Sequence, residues 1–538
     1  MLAICLASAC LVGCKKDDVN HNDPNVFEVF VYSAGYGHQW CIDLLDAFQE
    51  EEWVKEKYPE LTVKFTKGEL NTQAGTYLSS GRANPYEIIF GQNLQRYQGP
   101  GEVALDITEE VYNSYVPGED IKVVDKLTDS ARTSFVYRDV DAVEDSYYLF
   151  PYADGMTGIV YNETRLNKLG FSVPNTTDEL LDILAQVKAL GGTNPDYPYT
   201  YSFVSYGSSP YVVYLINALW AQYEGYDNYV NFFNGIDGET GARSSNIFLQ
   251  QGRLEALKFI EEIMPSSLGY TNVNADPGRS AFMDTQTRLI LGNGLFMANG
   301  DWFDNEMRAI YDGLVDSYGS ADTIKMMKTP VLSSIRNKKG VTTIPDDATL
   351  SKIVAAVDAD VTWENRSSEL SSVNAKDWET VRAARKVIYS IGPGHNGVIP
   401  KHAAGKEIAV DFLRYMATDK ALSIYMKATL GASLPFKYDV TVSDPELYDS
   451  FAPFQKDRIA YFNTGVDVLP SESSFPLVTF GTLQAFASAG GNPVSKITTG
   501  YGKGNYSSVA ERIFQEEYGY WTANGSANWN LCLQTAGL

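Results

Sequence analysis

Residues 158–192 read GIVYNETRLNKLGFSVPNTTDELLDILAQVKALGG. Gly158-Ile159-Val160-Tyr161-Asn162 has the apolar density of a buried strand. Thr176-Thr177-Asp178-Glu179 is a capping box: Thr176 can accept from the third helical N–H while Glu179 reaches back. Leu180, Leu184 and Val187 then line one helical face, and Gly191-Gly192 ends the helix. Outward from this unit, 26–32 (VFEVFVY) is a second buried strand, followed by the turn Ser33-Ala34-Gly35-Tyr36-Gly37. The next helix carries Cys41, Leu44, Leu45 and Phe48 at i, i+3, i+4 and i+7, a buried face. Tyr58-Pro59 breaks it before 61–66, which alternates as a strand, and 86–91 (YEIIFG) is another short strand. Residues 147–152 (YYLFPY) and 294–298 (GLFMA) are strand-like, and 397–400 (GVIP) leads into a helix over 406–417. Strands alternating with helices at this spacing predict an α/β fold with a parallel sheet. Residues 333–378 are polar and weakly periodic and read as an insertion. The tail after residue 490 is rich in Gly, Asn, Tyr and Trp, with a helix over 507–518.

A chain of 538 residues carries two to four domains. Its 44% apolar and 20% charged residues exclude a disordered chain and a polytopic membrane protein. Forty-three basic against 67 acidic residues leave a net charge of -24, which repels phosphate backbones and argues against nucleic acid as a partner. Residues 1–13 are uncharged and too short to span a membrane, and so read as a signal peptide. Leu11-Val12-Gly13-Cys14 is similar to the lipobox of bacterial lipoproteins, which implies a lipidated Cys14 and a polar tether over 14–25. Only Cys41 and Cys532 remain beyond it. Cys41 reads as a core thiol, with a Cys41–Cys532 bridge left open. Four histidines, without HExxH, paired-cysteine metal spacing or GxSxG, give no catalytic or metal signature. Gly392-Pro393-Gly394-His395-Asn396-Gly397 matches GxGxxG formally. Pro393 and the following Val398-Ile399-Pro400 contradict the helix that a dinucleotide site requires, so it reads as a hinge loop and no cofactor is expected.

Six segments, in order, resemble the carbohydrate branch (maltose-binding-like, family 1) of the bacterial extracellular solute-binding proteins that serve ABC importers. They are the strand-turn-helix at 26–48; Arg82-Ala83-Asn84-Pro85-Tyr86-Glu87-Ile88-Ile89-Phe90; Phe150-Pro151-Tyr152 with Gly158-Ile159-Val160-Tyr161-Asn162; and Leu166-Asn167-Lys168-Leu169-Gly170-Phe171 through the Asp178-Glu179-Leu180-Leu181 helix. Gly294-Leu295-Phe296-Met297-Ala298-Asn299-Gly300-Asp301-Trp302 and Val398-Ile399-Pro400-Lys401 complete the set. The resemblance implies a two-lobed periplasmic-binding-protein-like α/β fold (type II) closing on ligand by a hinge. It implies a non-enzymatic, monomeric lipoprotein on the outer face of the bacterial cytoplasmic membrane, handing a sugar to permease subunits. Chain crossings are expected near 147–155, 326–332 and 391–398. Lobe 1 would comprise 26–150 and 331–394, and lobe 2 would comprise 151–330 and 395–538 with the C-terminal extension. An oligopeptide receptor of this length and a surface glycan-active enzyme are the alternatives.

Sugars present flat C–H faces and vicinal hydroxyls, so a sugar site needs aromatic platforms beside carboxylates and amides. Four loops at expected cleft edges supply them. Tyr36, His38, Gln39 and Trp40 follow the first strand; Gln92 and Asn93 follow the third; Tyr152 and Asp154 sit at the first crossing. Asn299, Asp301 and Trp302 end a second-lobe strand, where ligands of open α/β sheets bind. Trp302 aligns with a sugar-stacking Trp of the family, with lobe packing as its other reading, and Asp301 could instead cap the following helix. Tyr206 and Tyr211 are candidates for the second-lobe floor, and His395 with Asn396 for the third crossing.

Overall fold

The computed structural model describes residues 23, 25–33, 35–137, 145–206, 210–274, 281–319, 321–468, 475–479, 481–483 and 492–538. The expected signal peptide, Cys14 and nearly all of the tether lie outside the described residues. Strands run in chain order: β1 (Val26–Tyr32), β2 (Thr62–Gly68), β3 (Ile88–Gln92), β4 (Val136–Tyr137), β5 (Ser146–Tyr147), β6 (Phe150–Pro151) and β7 (Thr157–Asn162). There follow β8 (Phe203–Tyr206), β9 (Thr271–Asn274), β10 (Phe296–Gly300), β11 (Ile324–Met327), β12 (Val387–Tyr389), β13 (His395–Val398) and β14 (Val466–Val468).

Two five-stranded sheets organise two lobes, in the orders β2-β1-β3-β13-β6 and β11-β7-β10-β8-β9. β1 pairs parallel with β2 and β3 along its two edges, while helices cover its two faces, Phe27 packing on Phe48 and Phe412 and Phe30 on Tyr77, which explains a run that is apolar but for Glu28 and Tyr32. The sheets are mixed rather than purely parallel: β13 runs antiparallel to β3 and β6, and β7 antiparallel to β10 and β11. Helix Gln39–Glu50 buries Trp40, Cys41, Leu44, Leu45 and Phe48 against the first sheet. Helix Thr177–Ala189 buries Leu180, Ile183, Leu184 and Val187, and Gly191 and Gly192 follow at positive φ. Thr176 Oγ1 accepts from the Glu179 N–H as expected, but the Glu179 carboxylate reaches one residue further back, to the Asn175 N–H at 2.7 Å.

The lobe assignment of two segments is reversed from expectation. β13 is a first-sheet strand, and helices Lys406–Met416 and Asp419–Ala428 bury Phe412, Leu413 and Tyr425 in the first-lobe core. Residues 331–384 instead gather a core of their own around Val354, Trp378 and Val381, and join the second lobe through the Thr176–Val331 bridge. The Thr176 hydroxyl donates to Asp347 at 2.6 Å across the same junction. The segment read as an insertion is therefore a helical unit with helices Asp347–Asp358 and Ala375–Arg385.

The chain crosses between sheets at 152–156, between β6 and β7, and at 390–394, between β12 and β13. It returns a third time between helices Asp419–Ala428 and Pro453–Thr464, the latter packing Phe454 and Tyr461 into the second lobe. Residues 326–332 do not cross, because β11 and Val331 both pair within the second lobe. The C-terminal helix Val509–Thr535 bends at residues 523–526 and packs on the second lobe, where Glu517 pairs with the fully buried Arg253. Cys41 and Cys532 are free thiols buried in different lobes, which closes the question of a bridge.

Candidate functional site

Where the lobes meet, the ends of β1, β3 and β10 converge with the crossings. Trp302, the residue after Asp301 at the end of β10, is only 5% exposed. Its ring centroid lies 6.4 Å from that of Tyr36 in the first lobe, and 6.0 and 6.1 Å from Tyr211 and Tyr214 on helix Pro210–Glu224. Two glycines make room for the indole. A Cβ on Gly35 would stand 2.8 Å from Trp302 Cβ, and one on Gly300 would stand 2.1 Å from the six-membered ring. Asn305 Nδ2 donates to the Gly35 carbonyl at 2.7 Å, so the first-lobe turn is fastened to the second lobe beside the ring.

Asp301 does not cap the helix that follows; its N-cap is Trp302, which makes no side-chain cap bond. The carboxylate is fully buried and accepts from first-lobe donors: the Tyr36 hydroxyl at 2.5 Å and the Ser433 N–H at 2.8 Å, with the Ser433 hydroxyl as a third. Burial raises the Asp301 carboxyl above the usual range, opposed by the nearby Arg458 guanidinium and by these donors. Burial, then the Asp301 charge, pushes the Tyr36 phenol well up, so that it stays a donor. Arg458, also fully buried, donates to the carbonyls of Asp301 and Leu430 and ties the third crossing to this point. A small cavity nearby has Ser433 and Arg458 on its wall together with Met426, Leu434, Tyr438 and Phe462.

His395 lies directly opposite Gln92 in the β13–β3 ladder. The Gln92 Nε2 amide stands 2.9 Å from its Nε2, and its ring is flanked by Tyr36 at 5.2 Å and Tyr152 at 5.7 Å. Burial holds the imidazole pKa down at about 4, so the ring is neutral at pH 7. Asp154 accepts from the Ser390 hydroxyl at 2.5 Å and its N–H donates to the Ser433 carbonyl at 3.0 Å, bracing the crossings. Asn396 is buried between Gly91 and Pro151 in the same sheet.

Tyr36, Gln92, Tyr152, Asp301, Trp302, Tyr211 and His395 thus share one seam. Others are directed elsewhere. Trp40 is a core residue, stacked on Tyr152 at 5.0 Å and packed on Phe90. Gln39 is exposed and bonded to Asp43, one turn along its own helix. His38 stacks on Phe65 and bonds Ser33. Asn299 folds back onto the Gly300 N–H, fully buried in β10. Tyr206 packs on Phe282, and Asn93 stands exposed at a positive φ, its N–H bonded to Gly394. Gly207, Ser208 and Ser209 beside Tyr206 lie outside the described residues.

Sequence reasoning missed Tyr214, Asn305, Glu306, Gln286, Ser433 and Arg458. Glu306 follows Trp302 by four residues, one helical turn, and that spacing was a usable signal. Its carboxylate accepts from Gln286 Nε2 at 2.8 Å, and burial pushes its pKa up to about 7. Among the described residues no group of three or more His, Cys, Asp or Glu is arranged to hold a metal ion. No described helix is long and apolar enough to cross a membrane.

Residues 43–449 match the sequence profile of the family described as bacterial extracellular solute-binding protein. The chain belongs to this family. As a member of the extracellular solute-binding proteins it is an exported, solute-binding chain. No curated protein matches its sequence. The fold is similar to that of the GacH receptor of Streptomyces glaucescens, solved unliganded and with acarbose, at 13% identity and a TM-score of 0.55, covering 91% of this chain and 97% of that one. It is similar to the solute receptor AcbH, described as having an exclusive preference for β-D-galactopyranose, at 12% identity and 0.57, covering 92% and 98%. A substrate-binding protein of Listeria monocytogenes in complex with cycloalternan is similar at 13% identity and 0.53, covering 95% and 99%. These likenesses establish the two-lobed fold of this solute-binding protein.

Proposed function

We propose that this solute-binding protein captures a mono- or oligosaccharide between its lobes and delivers it to the permease of an ABC importer, without chemistry on the ligand. The observation that carries this reading is the aromatic cluster of Trp302, Tyr36, Tyr211 and Tyr214 at the seam, edged by Gln92 and Glu306. Flat rings beside fixed acceptors suit the alternating C–H faces and hydroxyls of a sugar. The sugars bound by the GacH receptor, AcbH and the cycloalternan-binding protein favour the same ligand class. The neutral His395 and the protein-occupied Asp301 carboxylate suit binding rather than acid–base work. The Leu11-Val12-Gly13-Cys14 motif supports lipidation at Cys14, and with it anchoring of a monomer to the outer face of the cytoplasmic membrane. The test is thermal stabilisation of the tether-free chain across a panel of neutral saccharides, with peptides as the opposing arm, followed by calorimetry on Trp302→Ala. Stabilisation by a saccharide that Trp302→Ala binds at least tenfold more weakly supports the reading. Stabilisation by peptides alone, or unchanged affinity in the variant, overturns it.

A further inference from the structure

Helix Phe303–Tyr318 begins at the seam, and its first two turns carry side chains of three different employments. Asn305 reaches across to Gly35, and Asp304 is held by Arg308 and Gln455. Glu306 is the third: among the described residues it enters no ion pair, and Gln286 is its one hydrogen-bond donor. A carboxylate offers about four acceptor positions, so most of its capacity is unspent. Its place is specific. It sits one turn beyond Trp302, half-buried, and its charge faces the Tyr211 phenol, whose ring packs on the indole. Gln286, which supports it from helix Ala281–Ile290, is fully buried, and its Oε1 has no hydrogen-bond partner among the described residues.

We propose that Glu306, positioned by Gln286, is the second-lobe residue that accepts hydrogen bonds from ligand hydroxyls and selects neutral saccharides against anionic ones. The inference rests on the saccharide reading above. A carboxylate that no described cation compensates, beside aromatic faces, repels a uronate or a sugar phosphate, whereas a hydroxyl pair supplies donors beyond the one that Gln286 gives it among the described residues. Titration supports the assignment, since burial holds this carboxyl near pH 7 and donors from a ligand stabilise only its ionised form. The groups around it are Tyr211 from helix Pro210–Glu224 and Gln286 from helix Ala281–Ile290. On its own helix the Arg308 guanidinium is engaged by Asp304 and Asp312.

The test is calorimetry of raffinose, maltotriose, galactose and galacturonate on the tether-free chain and on Glu306→Gln and Glu306→Asp, at pH 6, 7 and 8. A carboxyl with pKa about 7 is ionised about one part in eleven at pH 6 and about ten in eleven at pH 8. The wild-type Kd for a neutral saccharide is therefore expected to fall about tenfold over that range. Glu306→Gln should bind it weakly with a flat pH profile and should gain galacturonate binding, and Glu306→Asp should keep the slope. An unchanged slope in Glu306→Gln, with neutral saccharide bound, overturns this inference and leaves the saccharide reading standing. No saccharide bound by the wild type at any pH overturns both.

Discussion

Replacing Tyr36 by Phe removes one hydroxyl and leaves the ring that packs on Trp302 and His395. That hydroxyl is buried and donates to a buried carboxylate at 2.5 Å, with its ring in the first lobe and Asp301 in the second. A hydrogen bond to a charged group contributes about 1.5–3 kcal/mol net, so about 2 kcal/mol is a fair central value. When the lobes part, water solvates both groups, so the loss falls on the closed arrangement alone. The ratio of closed to open protein should fall by about thirtyfold, since about 1.4 kcal/mol is a factor of ten. Apparent ligand affinity should fall by up to the same factor if ligand is held only when the lobes close. Small-angle scattering of the ligand-free variant should report a larger radius of gyration than wild type, and calorimetry the weaker binding. The ring is retained, so the melting temperature of each lobe should change little. If scattering and affinity are both unchanged in Tyr36→Phe, the Tyr36–Asp301 contact does not hold the lobes together.

Burial keeps the His395 imidazole at about 4, against an ordinary value of 6.5. Below pH 6.5 the unfolded chain takes up a proton that the folded chain refuses, so stability falls as pH drops from 6.5 towards 4, by about 3 kcal/mol in all. His395→Gln should flatten that part of a pH–denaturation series, and an unchanged slope would assign it to other groups. Glu517→Gln strands the Arg253 guanidinium among Trp220, Phe232 and Phe248, and should cost about 3–5 kcal/mol in urea denaturation of the second lobe. Loss of less than about 1 kcal/mol would mean the pair is hydrated. Gly35→Ala drives a methyl into Trp302 Cβ, which cannot rotate away, so the ligand-free protein should expand in scattering while circular dichroism stays the same.

What the sequence makes legible is local. The VFEVFVY run of β1 is apolar on both faces because helices cover both, Phe27 meeting Phe48 and Phe412 on one side and Phe30 meeting Tyr77 on the other, and its ends agree with the pairing to β2 residue by residue. Helix Thr177–Ala189 is bounded by chemistry contained within it, a Thr acceptor at one end and two glycines at the other. Trp40 was separable from Trp302 in principle, since Trp40, Leu44 and Phe48 fall on one helical face whereas Trp302 ends a strand. Long-range pairing leaves no such trace. Asp301 meets Tyr36 across 265 residues and Ser433 across 132, and no periodicity records either bond. The exchange of lobes between 331–384 and the segment from β13 through helix Asp419–Ala428 has the same origin. It turns on β13 pairing with β3, about which the GVIP run of 397–400 is silent.

The contacts across the seam divide into two kinds, and the division describes how the molecule opens. The bonds among the crossings join segments that lie on the axis itself: Ile391 N–H to the Gly155 carbonyl at 3.0 Å, Ser390 to Asp154, and Asp154 N–H to Ser433. A rotation of the lobes about these strands can keep them. The bonds from Tyr36 to Asp301 and from Asn305 to Gly35 lie off the axis, on the side of the aromatic cluster, and must stretch as the lobes part. One is charge-assisted and one neutral, so together they contribute about 3 kcal/mol to closure. Trp302 sits between them with Gly300 beneath its ring and Gly35 against its stem, and it is almost wholly buried, so a ligand gains its face by way of the open form. A ligand therefore enters the open form, and the off-axis bonds re-form as the lobes close over it, adding to its own contacts with both lobes. Aromatic surface in the second lobe and hydroxyl partners on both sides of the seam are the means available to it. A solute touching one lobe only gains nothing from closure and does not favour the closed form.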